Sequence, residues 1–181
     1  MFRARATVTA SLAALGLGLV VSVSAGGGQS PADTRGLGPL YNAGDRVDGL
    51  PLAAVLRREG TAEFVSFVYG DCVAADDAGC APPAEIQIWP ACRRSLGLYR
   101  GATDRGALVE PISLRGVPAF LFEDGTRLEL ETGSSTVVVF AGTRGRVLRI
   151  AAALRTLDET VSPGVPLPKP VRAEGGDALD C

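Results

Sequence analysis

The sequence predicts an α+β domain: an antiparallel sheet of about five strands with two or three helices packed on one face. Three observations predict it. Several short segments alternate apolar and polar residues or are almost wholly apolar at strand length. Short Gly- and Asp-containing turns join the later ones, which favours antiparallel pairing. One segment near residue 150 repeats its apolar residues at helical spacing.

In chain order, residues 1–25 read as a signal peptide or membrane anchor. Arg3 and Arg5 form a short positive region, and residues 6–23 carry no charge. Val23 and Ala25 place small or short side chains where signal peptidase accepts them, ahead of Gly26. Kept uncleaved, the same stretch is close to the ~20 apolar residues a membrane span needs. Residues 26–39, rich in Gly and polar side chains, read as a flexible tether. The folded domain is expected at 40–160, and residues 161–181, rich in Pro and Gly, as an extended tail outside the core.

Within the domain, residues 50–58 (LPLAAVLRR) read as a short helix. Pro51 suits its first turn, and Arg57 and Arg58 suit its negative end. Residues 63–70 (EFVSFVYG) are aromatic and β-branched, a strand. Residues 84–89 (AEIQIW) alternate, with Ile86 and Ile88 on one face and Glu85, Gln87 and Trp89 on the other; Pro90 ends them. Residues 93–99 read as a second short helix. Residues 116–123 (GVPAFLFE) form a strand, and Asp124-Gly125 signals a hairpin. Residues 126–132 turn Leu128 and Leu130 inward and Arg127, Glu129 and Glu131 outward. After a turn at 133–135, residues 136–141 (TVVVFA) form a nearly all-apolar strand. Residues 145–157 then place Val147, Ile150, Ala151, Leu154 and Leu157 on one helical face.

Composition narrows the function classes. Without the leader roughly 155 residues remain, one domain's worth. The formal charge of −2 falls by two when Arg3 and Arg5 leave with it. A mildly acidic chain has no sequence-wide electrostatic reason to bind nucleic acid. All but one of the 18 basic residues are arginine, Lys169 being the exception, and they are scattered. There is no histidine. That removes Ser-His-Asp and Cys-His nucleophile activation, histidine metal ligands and a histidine pH switch. No phosphate-cradling Gly-rich motif is present, and no cofactor is expected.

The 4 cysteines are Cys72, Cys80, Cys92 and Cys181. An even number in an exported chain points to disulfides, with three pairings open. The short separation of Cys72 and Cys80 lets their loop close on itself. In a hairpin joining the strands at 64–70 and 84–89, Cys72 and Cys92 fall at opposite ends. The expected pairing is therefore Cys72–Cys80, with Cys92–Cys181 pinning the tail. A closed loop of this size adds about 2–3 kcal/mol.

The segments GVPAFLFEDGTRLELETG and EFVSFVYGDC resemble the proline-strand-hairpin and the cysteine-delivering strand of thioredoxin-like proteins. That resemblance implies a redox role with Pro118 facing Cys72. The spacing here is Cys72-x7-Cys80, where that family has C-x-x-C, and acids and prolines follow Cys72 where it has a helix start. Through YGDC, GCAPP and WPAC, with the C-terminal strand and helix, the domain also resembles uncharacterised secreted proteins of high-GC Gram-positive bacteria. That likeness implies export and no particular activity.

Three further candidate groups of residues are present. Asp71, Asp76 and Asp77 lack the regular oxygen spacing of a calcium loop. Glu110, Glu123 and Asp124 are carboxylates of the kind glycosidases pair, but Glu123 and Asp124 are explained by their turn. Tyr69, Asp71, Cys72, Trp89 and Pro118 make up the expected ligand or redox surface. The resulting reading is an exported, non-enzymatic domain that binds an envelope or extracellular partner, attached to the membrane if the leader stays. The alternative is a thiol-disulfide redox protein with Cys72 as the reactive group.

Overall fold

A computed structural model describes residues 38–59, 63–73, 80–94, 96 and 109–171. They form a mainly β structure with one α-helix among the described residues, which corrects the expected α+β fold of about five strands and two or three helices. An eight-stranded antiparallel sheet runs in the order β2-β3-β4-β5-β9-β8-β7-β6. Its strands are β2 (Arg46–Val47), β3 (Leu50–Arg58), β4 (Phe64–Tyr69), β5 (Ala84–Pro90), β6 (Glu110–Leu114), β7 (Val117–Phe122), β8 (Arg127–Thr132) and β9 (Ser135–Ala141). A two-stranded ribbon pairs β1 (Tyr41–Asn42) with β10 (Arg155–Thr156). The helix α1 spans Arg144–Ala152 and is capped by the Thr143 hydroxyl, which accepts the Arg146 N–H.

The order records two meanders. Each starts at an outer edge and works inward, and they meet where β5 pairs with β9. This gives the sheet an approximate two-fold arrangement, and the sequence carries a trace of it. Val47-Asp48-Gly49-Leu50-Pro51 opens one half and Leu114-Arg115-Gly116-Val117-Pro118 opens the other. In both, the middle pair has positive φ: 49° and 82° at Asp48 and Gly49, 51° and 87° at Arg115 and Gly116. Two positive φ values define the two-residue hairpin turn whose twist matches its strands, and glycine fills its second place without strain.

Residues 50–58 are therefore a strand and not the expected helix. Leucine, alanine and arginine are good helix formers, but propensity is a small term, and pairing of Ala54–Arg58 with β4 overrides it. The helix expected at 93–99 falls partly outside the described residues; Ala91–Arg93 form a turn. The strands at 63–70, 84–89, 116–123, 126–132 and 136–141 stand essentially as expected. The Asp124-Gly125 turn is wider than a two-residue hairpin. Phe122 pairs with Arg127, and Glu123–Gly125 form a short 3-10 turn between them.

One face of the sheet holds the core. Val65, Ile88, Val137, Leu130 and Ala119 lie side by side across five strands, and Phe67, Ile86, Val139, Leu128 and Leu121 form the next row. The helix covers this face with Val147, Ile150 and Ala151, and Leu154 follows. Leu40, Tyr41 and Ala43 of the N-terminal stretch complete the cover. So do Val161 and Leu167, which places part of the expected free tail in the core.

Two clasps hold these covers. Asp48, in the first hairpin turn, accepts from Arg146 Nε at 2.7 Å and from Arg149 Nε at 2.8 Å. Those guanidinium groups hold its carboxyl down at about 2. Arg115, at the same place in the second turn, donates to the carbonyls of Leu154, Ser162 and Val165 at 2.5–2.6 Å. Its own carbonyl accepts the Leu167 N–H at 2.9 Å. The tail is tied further along, where the Val171 N–H reaches the Gly133 carbonyl at 2.8 Å.

Candidate functional site

The second face of the sheet carries the chemistry. Antiparallel register puts Ser66, Gln87, Val138, Glu129 and Phe120 in one row and Val68, Glu85, Phe140, Arg127 and Phe122 in a second. Trp89, Thr136 and Glu131 form a third. These side chains point away from the core because each strand alternates its faces.

Glu129 is the centre. It is fully buried, yet it is a carboxylate. Arg94 meets it with both arms of its guanidinium, Nε to Oε2 at 3.1 Å and Nη2 to Oε1 at 2.5 Å. The Arg127 Nε lies 3.4 Å from the same Oε1. A buried charge needs a paired and hydrogen-bonded partner, and the two-pronged Arg geometry supplies one. Around it, Glu131 accepts the Leu96 N–H at 2.6 Å, and the Thr136 hydroxyl donates to the Arg94 carbonyl. The chain after β5 is thereby laid back across the sheet, and Leu96 is buried there.

A second string of bonds runs along β5. The Ser66 hydroxyl and the Gln87 amide both donate to Glu85, and the Trp89 indole N–H donates to Gln87 at 3.1 Å. Phe64 stacks on Trp89 with ring centroids 4.1 Å apart, and the Arg94 guanidinium sits 5.0 Å from the indole centroid. The indole is thus engaged by both a stacked ring and a cation.

The expected surface residues do not form one site. Tyr69 is fully buried and belongs to the core face; its hydroxyl accepts the Ala43 N–H at 2.9 Å. Burial pushes its phenol up from the usual value. Asp71 is exposed beside it in sequence. Cys72 is bonded to Cys80, with their Cα atoms 6.0 Å apart, as the loop separation led us to expect. Trp89 lies at the opposite end of β5 from the Tyr69 partner Ala84. Pro118 lies on β7, with β5, β9 and β8 between it and β4. At about 4.8 Å per strand that is roughly 19 Å from β4, so the structure does not bring Pro118 to Cys72. Cys92 is also disulfide-bonded. Cys181, its expected partner, lies outside the described residues, as do Asp76, Asp77 and the leader.

Glu110 and Glu123, carboxylates that could pair, are held by arginines instead. Glu110 is bridged to Arg144, which holds its carboxyl below the ordinary range, and Glu123 is bridged to Arg127. Among the described residues no cluster of ligating side chains is placed to hold a metal, and no helix is long and apolar enough to cross a membrane.

Reading the sequence alone missed the role of Glu129, Arg94 and Thr136. A signal was present in residues 136–141, which are apolar at every place but the first. A strand apolar on both faces is usually covered on both faces, which pointed to cover beside it, over the outward-facing Glu129. Comparison with known proteins adds nothing to this geometry: no family model, no curated protein and no solved structure matches the chain.

Proposed function

We propose that this chain works outside the cytoplasm as a non-enzymatic domain that binds a partner in the cell envelope or beyond it. The observation that carries this reading is the use the second face makes of its ionisable groups. Glu85, Glu129 and Glu131 each end on an internal partner, and those partners tie strands and the chain after β5 together. Acid-base or nucleophilic catalysis needs a group aimed at a substrate, with a second group to activate it. A carboxylate committed to a two-pronged arginine is instead part of a scaffold. The Cys72–Cys80 bond supports the placement, because such bonds persist in oxidising compartments.

Expression of the full chain in a secreting host tests the proposal. The exported product should begin at Gly26 or keep Met1 at the membrane, contain no reactive thiol and leave insulin disulfides unreduced. Photo-crosslinking from surface positions in the intact envelope should label a single partner. Retention of a reduced chain in the cytoplasm, or catalytic disulfide exchange, would overturn it.

A further inference from the structure

The two halves of the sheet differ at one place. In the second half the outer strand β6 pairs with β7 from Leu114↔Val117 back to Glu110↔Leu121. In the first half the outer strand β2 pairs only Val47↔Leu50 and Arg46↔Pro51 with β3. One more bond follows, from the Leu52 N–H to the Asp45 carbonyl at 2.8 Å. The chain before Asp45 leaves for the β1–β10 ribbon. Beyond the irregularity at Leu52/Ala54, β3 continues to Arg58 with a strand on its β4 side only, among the described residues.

This edge has the features of a template. Ala53 and Val55 are exposed on the core-face side, Val55 at 37%. Residues 52–56 carry neither charge nor proline, with Arg57 and Arg58 at their end, whereas β6 carries Pro111 within its five residues and Glu110 at its end. Lysine, proline and charge are the usual protections of an exposed edge. At its far end Arg58 is half-buried and has no carboxylate partner among the described residues, in contrast to Arg57, which meets Glu63.

We propose that residues 53–58 of β3 receive an extended segment of the binding partner as an added antiparallel strand. The segment places apolar side chains at alternate positions beside Val55 and Ala53, and an acidic residue at its N-terminal end opposite Arg58. The main-chain ladder supplies affinity and the alternating side chains supply selectivity. The occupant is a partner's peptide and not a second copy. A β3–β3 pairing supplies no carboxylate to Arg58, and six residues are few against the ~20–30 a side of a stable dimer. This inference rests on the binding reading above and names the surface that reading leaves open.

The test uses the exported full chain and a labelled probe, acetyl-Asp-Val-Thr-Val-Thr-Val-amide, followed by fluorescence anisotropy. Saturable binding is expected. It should fall about fivefold to tenfold when the peptide's Asp becomes Lys, a loss of the order an ion pair and its reversal produce. Arg58→Glu should reverse that preference, and Val55→Lys should weaken both peptides. The peptide comparison needs no variant, so a misfolded Arg58→Glu protein does not remove it. Equal binding of both peptides, or none, overturns the proposal. A concentration-dependent dimer lost in Val55→Lys, without peptide binding, assigns the edge to a second copy instead. The outcomes separate from those of the broader reading. A chain that binds the probe but never leaves the cytoplasm refutes export alone. An exported, crosslinkable chain that ignores the probe refutes the edge alone.

Discussion

Replacing Tyr69 with Phe isolates a single hydrogen bond in the core. Tyr69 is fully buried, and its hydroxyl is the acceptor for the Ala43 N–H at 2.9 Å, a group that is itself 1% exposed. Phenylalanine keeps the ring and almost all of the volume, so no large cavity opens. What remains is a buried amide without its acceptor, which costs about 1–3 kcal/mol. For a domain of this size each kcal/mol shifts Tm by about 3–4 °C, so a fall of roughly 3–12 °C is expected. Burial also raises the Tyr69 phenol above 10, and the pH dependence follows from that direction. Below about pH 10 both states hold the proton and the contribution is complete. Above it the unfolded chain ionises first, so stability declines as pH climbs toward the folded value. Urea unfolding at pH 7 and across the alkaline range measures both effects. Tyr69→Phe should lose stability at pH 7 and show a shallower alkaline decline, with Tyr41, raised by the same cause, supplying the rest. A loss below about 0.5 kcal/mol with an unchanged alkaline slope would refute the reasoning, because Ala43 would then have another acceptor.

Three further outcomes are expected. Asp48 sits near 2 when folded against 3.8 ordinarily, so its clasp on Arg146 and Arg149 is whole above about pH 4 and fails as pH falls toward 2. Acid titration of Asp48→Asn should lack that part of the slope. Glu129→Ala should cost about 3–5 kcal/mol, toward the lower end because Arg94 keeps 20% exposure, while the double change Glu129→Leu with Arg94→Met should recover most of the loss in denaturant melts. Peptide mapping without reductant should recover Cys72 joined to Cys80, and we expect Cys92 joined to Cys181. A Cys92–Cys72 peptide would contradict the first pair.

The inner strands were legible because their alternation and apolar runs are local. The outer ones were not, for reasons that differ by residue. In β3, Leu50, Ala53, Ala54 and Arg57 look helical in isolation, and only the neighbouring β4 makes them extended. The Asp48-Gly49 pair before them was a hairpin signal of the kind read correctly at Asp124-Gly125. The strand β6 was hidden by Pro111, which an edge strand tolerates because one side of its backbone has no partner to serve. The buried position of Tyr69 and the pairing of Glu129 with Arg94 depend on contacts between distant segments. For Glu129, only the apolar character of β9 on both faces hinted at cover.

The meeting of the two meanders at β5 and β9 has a kinetic meaning. Within each half, strands pair with their neighbours in the chain and can form by short loop closures. Within the eight-stranded sheet only the β5–β9 ladder, from Ala84↔Ala141 to Pro90↔Ser135, joins regions far apart in sequence. Closing that seam carries most of the ordering entropy that must be met before long-range contacts repay it. Folding should therefore be slowest there. Truncating Val139 should retard refolding, whereas truncating Ile112 on the outer strand should mainly hasten unfolding.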